Sequence, residues 1–97
     1  MNKLIQIHPV DNVVIIRSSI IPGDKEIIDG KEIYFDKYLG LGHKIALKNI
    51  MQGKQIFKYG VPIGSALQNI KIGEHIHLHN MKSDYIPTYT LDNEFKK

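Results

Sequence analysis

The phrases "LGLGHKI" (residues 39–45), "IMQGKQI" (50–56) and "IKIGEHI" (70–76) share one pattern of aliphatic residue, glycine and isoleucine at three-residue intervals. A fourth phrase, "IIPG" (20–23), begins in the same way. Glycine accepts backbone angles that a side chain forbids, so it allows a sharp turn between two short segments. Each flanking aliphatic residue would end one segment in the core or begin the next strand there. The repeat therefore predicts an all-β protein of short strands joined by glycine turns.

The rest of the chain agrees with this prediction. Val13–Ile16 is a compact β-branched run, which is typical of a strand. Residues 27–35, "IIDGKEIYF", predict a β-hairpin with Asp29-Gly30 as its turn. Glycine is too frequent for long helices, and the one helical candidate is short, at residues 65–69. Gly60 and Gly64 are expected to be turn residues.

Length and composition exclude several classes of protein. A chain of 97 residues forms one domain on length priors, and the absence of cysteine excludes disulfides, thiolate metal sites and cysteine nucleophiles. The net charge of +3 comes without a dense basic stripe, so we expect no nucleic-acid partner. No run approaches the roughly 20 apolar residues that span a bilayer, and the N-terminus does not resemble a signal peptide. We therefore expect no membrane contact and a cytoplasmic location.

The chain divides in two by composition. Residues 1–83 hold the repeated phrases and are predicted to form the domain. Residues 84–97 carry Tyr85, Tyr89 and Phe95 around Pro87 and are predicted to form an extended C-terminal arm. An arm with these aromatic residues would lie on its own domain or on a neighbouring subunit, so a homodimer formed through the arm is one expectation.

The stretch "GEHIHLHN" (73–80) holds three of the five histidines at every second position. Side chains alternate across a strand, so a strand here would turn Ile76 and Leu78 into the core and the histidines away from it. Three interpretations stay open. The imidazoles form an exposed polar face, a part of an active site completed by another chain, or a metal site in which His43 or another chain supplies a third ligand. No catalytic triad, phosphate-binding loop or carboxylate pair is evident.

Three sequence words resemble a known family. They are Gly42-His43-Lys44-Ile45-Ala46, then Lys58-Tyr59-Gly60-x-Pro62-Ile63-Gly64, then Gly73-Glu74-His75-x-His77-x-His79-Asn80. In this order they resemble the small SAF domain of the altronate and galactarate dehydratases, and the resemblance spans roughly residues 5 to 83. It implies a β-clip fold. The dehydratases carry a large catalytic domain after this one, whereas the present sequence ends at Lys97. The chain is therefore also similar to free-standing small subunits such as the alpha subunit of sulfolactate sulfo-lyase.

The resemblance implies a lyase in two parts. A large partner subunit would carry most catalytic groups and a divalent metal, while this chain binds no cofactor or metal of its own. The substrate would be an anionic sugar acid or a sulfonate, from which a proton beside the carboxylate and a β-hydroxyl or sulfite are removed. We expect the small chain to be inactive alone and to close over substrate held by the large subunit.

Residue chemistry suggests roles within such a site. His77 and His79 are the expected catalytic residues, because imidazole binds hydroxyl groups and transfers protons near neutral pH. The expected substrate-binding residues are His43, Lys44, Lys58, His75 and Asn80. The alternative is a non-catalytic SAF module that binds a carbohydrate or a protein partner.

Overall fold

The computed structural model describes residues 3–83, which form β-strands and no helix. The strands are β1 (Leu4–Ile5), β2 (Val13–Ile16), β3 (Lys25–Ile28), β4 (Lys31–Tyr34), β5 (Lys44–Ala46), β6 (Gln55–Lys58), β7 (Val61–Ala66), β8 (His75–Ile76) and β9 (Met81–Ser83). The all-β prediction is confirmed, and the one helical candidate, residues 65–69, is not a helix because Ser65 and Ala66 belong to β7. The predicted arm, residues 84–97, lies outside the described residues. Nothing in residues 3–83 forms a helix long and apolar enough to cross a membrane.

The repeated phrases form the predicted glycine turns. Gly23, Gly42, Gly53 and Gly73 all have φ between 85° and 96°, in the left-handed region. The phrases also pair two by two: Ile20 bridges Leu39, and Ile50 bridges Ile70. Each pair encloses one hairpin, β3–β4 or β6–β7, so the chain contains two similar halves.

A central antiparallel sheet in the order β1-β2-β5-β8 separates two hydrophobic clusters. Val14 and Ile45 are paired and belong to the first cluster, whereas their neighbours Val13 and Ala46 belong to the second. Strand alternation explains this division, since successive side chains point to opposite faces of a sheet. The fold is thus a β-clip in which both faces of a small sheet are covered.

The two hairpins turn through residues with positive φ at both central positions. These are Asp29 (φ 50°) with Gly30 (φ 79°), as predicted, and Tyr59 (φ 59°) with Gly60 (φ 78°). Such angles match the twist of a two-residue hairpin. The expectation of a turn at Gly64 is wrong: Gly64 lies inside β7, where its lack of a side chain allows β9 to approach.

Candidate functional site

The histidine stretch is a strand only at its start. Strand β8 ends at Ile76, and residues 77–80 form a turn. The predicted inward orientation of Leu78 is wrong, because 73% of its surface is exposed. Ile76 is buried, as predicted. The pairing of β8 with β5 covers only two residue pairs, so no ladder extends the strand further.

Asn80 holds this turn in place. Its side chain is fully buried; Nδ2 donates to the carbonyl of His75 and Oδ1 accepts from the backbone N–H of His77, both at 2.9 Å. Asparagine side chains often compete in this way with strand hydrogen bonds. The geometry gives Asn80 a positioning role, since both polar ends of its side chain are occupied by backbone groups.

Four imidazoles nevertheless lie in one row. His43 Nδ1 and His75 Nε2 are 3.0 Å apart and share a hydrogen bond. Ring centroids are 4.9 Å apart for His43–His75, 5.6 Å for His75–His77 and 6.1 Å for His77–His79. His43 joins the row because it precedes β5 at the Gly42 turn, and β5 places Ile45 opposite His75 in the sheet. We call these four residues the imidazole row.

His75 is the half-buried member of the row. Burial, followed by the nearby His43, His77, Lys37 and His79, lowers the pKa of His75 from about 6.5 to about 4. His75 is therefore neutral at neutral pH, and one of its two ring nitrogens accepts a hydrogen bond while the other donates. A neutral His75 ring can therefore accept or donate the hydrogen bond that it shares with His43.

This pKa gives a pH-dependent stability. Above about pH 6.5 His75 is neutral in both folded and unfolded chains; between 6.5 and about 4 only the unfolded chain takes up the proton. We therefore expect stability to fall as pH drops through this window, and His75→Gln to reduce that fall. Urea unfolding at pH 7, 5.5 and 4 measures it, and NMR should place the His75 midpoint near 4. A midpoint near 6.5 would contradict the described burial.

The row borders a pocket of about 350 Å³ at the start of β5. Its polar lining includes His43, Lys44 and His77, and its remaining lining residues are Leu41, Gly42, Ile76, Leu78 and Met81. Burial, and then the charge of Lys58, lower the pKa of Lys44. The pocket thus combines imidazoles with an ammonium group inside a partly apolar wall.

The predicted site residues differ in their position relative to the pocket. His43, Lys44 and His77 line the pocket; His75 reaches it through its bond to His43, and His79 ends the row. Lys58 does not line the pocket, although its charge acts on Lys44. Sequence reasoning missed two sets of residues: the exposed apolar Leu41 and Leu78, and the buried carboxylate of Asp11.

The imidazole row does not bring three metal ligands together within the described residues. In residues 3–83, no group of three or more histidine or carboxylate side chains is arranged to hold one ion. The facing nitrogens of His43 and His75 are 3.0 Å apart and share a hydrogen bond. The described residues therefore do not form a complete metal site by themselves.

The fold and the row together define a β-clip domain with a pocket lined by imidazole and ammonium groups. Residues 2–84 match the altronate/galactarate dehydratase SAF domain, and the chain belongs to this family. The altronate dehydratase of Bacillus subtilis (strain 168) is 44% identical over 84 residues, which cover 87% of this chain and 17% of that protein. The altronate dehydratase of Escherichia coli (strain K12) is 36% identical over 82 residues, covering 84% and 17%.

A third relative carries a subunit name. The (2R)-sulfolactate sulfo-lyase subunit alpha of Chromohalobacter salexigens is 42% identical over 43 residues, which cover 44% of this chain and 46% of that protein. The chain thus spans about a sixth of the length of the altronate dehydratases and matches less than half of the sulfo-lyase subunit.

Proposed function

We propose that this chain forms a histidine- and lysine-bearing wall of the substrate site in a sugar-acid dehydratase or a sulfo-lyase, completed by a large catalytic subunit. The observation that carries the proposal is the imidazole row, which ends in the His43–His75 bond beside Lys44 around one pocket. Membership of the dehydratase SAF family supports the reaction class.

The chemistry needs groups of these types. In a dehydration a base takes the proton beside the carboxylate, the carbon–oxygen bond at the β-position breaks, and the leaving hydroxyl accepts a proton to depart as water. His77 lines the pocket and would donate that proton, with His79 beside it in the row. Lys44 would bind the carboxylate, and the neutral His75 would keep His43 oriented toward the substrate. The base and the divalent metal belong to the large subunit in this proposal.

Exposed apolar side chains support the need for a partner. Leu41 and Leu78 both line the pocket, yet 64% and 73% of their surfaces are exposed. Large apolar side chains clustered at the rim of a polar site are typical of surfaces that another polypeptide covers. The subunit name of the sulfo-lyase relative is consistent with assembly of this kind.

A segment exchange tests the proposal. The matching segment of the Bacillus subtilis altronate dehydratase is replaced by this chain, in one arm as a fusion and in another as a separate polypeptide. We expect altronate dehydration in either arm and none from this chain alone. In the active chimera, His77→Asn should lower kcat about 100-fold with a smaller change in KM, because it removes a proton donor.

The matched control is Lys48→Met, an exposed lysine outside the pocket, which should leave kcat unchanged. Circular dichroism establishes that each variant folds. Full kcat in a folded His77→Asn chimera would refute the catalytic role. A chimera that binds altronate but gains no turnover from this chain would favour the non-catalytic binding module.

A further inference from the structure

Tyr38 lies across Gly40, beside the imidazole row. Directly after it, Leu39 and Ile20 form an isolated bridge with two backbone hydrogen bonds of 2.9 Å. A Cβ added at Gly40 would lie 3.6 Å from both Cε2 and the hydroxyl oxygen of Tyr38. The aromatic ring therefore reaches along the chain over Gly40, although 62% of the Tyr38 surface is exposed.

The Tyr38 hydroxyl has a neighbour that is itself held in place. Its oxygen lies 3.4 Å from Oγ of Ser19, and either atom can donate. The carbonyl of Ser19 accepts a hydrogen bond from Nζ of Lys3 at 3.1 Å, and Lys3 is paired with Asp24. A phenol hydroxyl has one donor and also accepts, and 3.4 Å is a long hydrogen bond. The hydroxyl is thus positioned by Ser19 and keeps capacity for a second partner.

The other half of the chain shows what this position does when its role is structural. Asn69 precedes its bridge as Tyr38 precedes the first one, and Oδ1 of Asn69 accepts the backbone N–H of Gln52 at 2.8 Å. Pro22 occupies the place that corresponds to Gln52, and proline has no N–H to donate. Tyr38 therefore does not repeat the bond that Asn69 makes, and its hydroxyl serves another contact.

The missing side chain of Gly40 leaves a space between Tyr38 and His43. The added Cβ would lie 3.8 Å from Cδ2 of His43, in addition to 3.6 Å from the Tyr38 hydroxyl. Both distances are ordinary van der Waals contacts, so one methyl-sized group fits there without a clash. A hydroxyl oxygen is of similar size, and a displacement of about 0.8 Å would bring it within hydrogen-bond distance of Tyr38. We call this space the Gly40 gap.

The Gly40 gap adjoins the free side of His43. An imidazole ring carries Nδ1 and Cδ2 on opposite sides of Cγ, and Nδ1 of His43 is bonded to His75. The Cδ2 side, with Nε2 next to it, therefore faces the gap. His43 also lines the pocket that contains Lys44 and His77. A carbon chain bound along His43 can thus occupy the pocket and place a further hydroxyl in the gap.

We propose that Tyr38 and the Gly40 gap form a subsite for one hydroxyl of the substrate, distinct from the leaving hydroxyl. Tyr38 is a specificity-determining residue in this assignment, because its hydroxyl bonds a group that only a polyhydroxy acid carries. The subsite favours a sugar acid over an acid without further hydroxyls. This inference deepens the proposed function and rests on it for the reaction, whereas binding of a sugar acid by the chain tests the subsite separately.

NMR of the full-length chain with ¹³C-labelled tyrosine and histidine provides the experiment. Altronate is the polyhydroxy probe, and propionate is a carboxylate without hydroxyls. We expect saturable shifts at Tyr38 and His43 with altronate, and no shift at Tyr38 with propionate. The matched control residue is Tyr34, whose surface is 63% exposed and which should not shift with either probe.

Two variants separate the hydroxyl from the ring. Tyr38→Phe removes the hydroxyl, and Gly40→Ala fills the gap with a methyl group at ordinary contact distances. Each should weaken altronate binding about tenfold, leave propionate binding unchanged and leave the urea midpoint unchanged. Tyr34→Phe should bind altronate as the unchanged chain does. In an active segment exchange, Tyr38→Phe should raise KM about tenfold with little change in kcat, since the hydroxyl breaks no bond.

The opposite results would overturn the inference. Absence of a saturable Tyr38 shift with altronate refutes the subsite. Unchanged altronate binding in Tyr38→Phe also refutes it, and would show that the ring only covers Gly40, as aromatic residues do at other strand glycines. An active segment exchange that Tyr38→Phe does not alter refutes the subsite and leaves the proposed function standing. Altronate binding that depends on Tyr38, together with an inactive segment exchange, refutes the proposed function and leaves the subsite.

Discussion

Asn80→Ala is expected to destabilise the chain by about 2–3 kcal/mol and to disperse the imidazole row. Alanine leaves the N–H of His77 and the carbonyl of His75 without the partners that Asn80 supplies at 2.9 Å. The turn at residues 77–80 then opens and His75 becomes more hydrated. Because burial is the main cause of its low pKa, the pKa of His75 should rise from about 4. Urea unfolding and histidine NMR titration measure the two effects.

The chain offers a matched control in Asn69. Its Oδ1 also accepts a backbone N–H, from Gln52 at 2.8 Å, but the residue is exposed. Water replaces a lost partner at an exposed site, so Asn69→Ala should cost less than about 1 kcal/mol. Equal losses in the two variants, or an unchanged His75 pKa in Asn80→Ala, would contradict the positioning role of Asn80.

Gly64→Ala is the second large effect, with an expected loss of about 3 kcal/mol. A Cβ at this buried position would overlap the carbonyl oxygen of Lys82 and lie 3.1 Å from its carbonyl carbon. Both atoms belong to the backbone of β9, which pairs with β7 at Gly64 and Ser83. The backbone must move, since no flexible side chain can give way. Thermal and urea unfolding measure the loss.

Gly40→Ala is the control for this substitution. An added Cβ there would find its nearest atoms at 3.6 Å in the Tyr38 ring, an ordinary contact, so the change should stay within about 0.5 kcal/mol. β9 begins directly after Asn80, and we therefore expect Gly64→Ala also to shift the NMR signals of His77 and His79. A Gly64→Ala chain as stable as Gly40→Ala would show that β7 and β9 are not in close contact.

Much of the fold was predictable because its signals are local. The repeated glycine phrases and the Asp29-Gly30 turn predicted where the chain bends, since a positive φ is a property of one or two residues. The prediction of a strand through His79 was wrong because the length of β8 depends on contacts with distant residues. The alternation of residues 75–79 favours a strand, but β5 offers only two partners, and Asn80 binds the backbone of the turn instead.

The candidate site was predictable in its residue types and less so in its arrangement. The three alternate histidines were correctly expected to lie together, although as a turn and in a row that also contains His43. Leu78 was expected to be buried and is exposed beside the pocket. Asp11 could not be distinguished from an ordinary turn residue, because the backbone N–H groups of Tyr59 and Gly60 that it binds are 48 and 49 residues distant.

Local sequence patterns were enough to predict the all-β class, the glycine turns and the family of this chain, because backbone angles and short motifs depend on neighbouring residues. The tertiary structure alone decided which faces Lys44 and His75 occupy, since that depends on the register of β5 against β2 and β8. The tertiary structure also brings His43 into hydrogen-bond contact with His75, which is 32 residues away in the sequence. These contacts depend on hydrogen bonding and packing between segments that are distant in the sequence, so a local sequence pattern does not predict them.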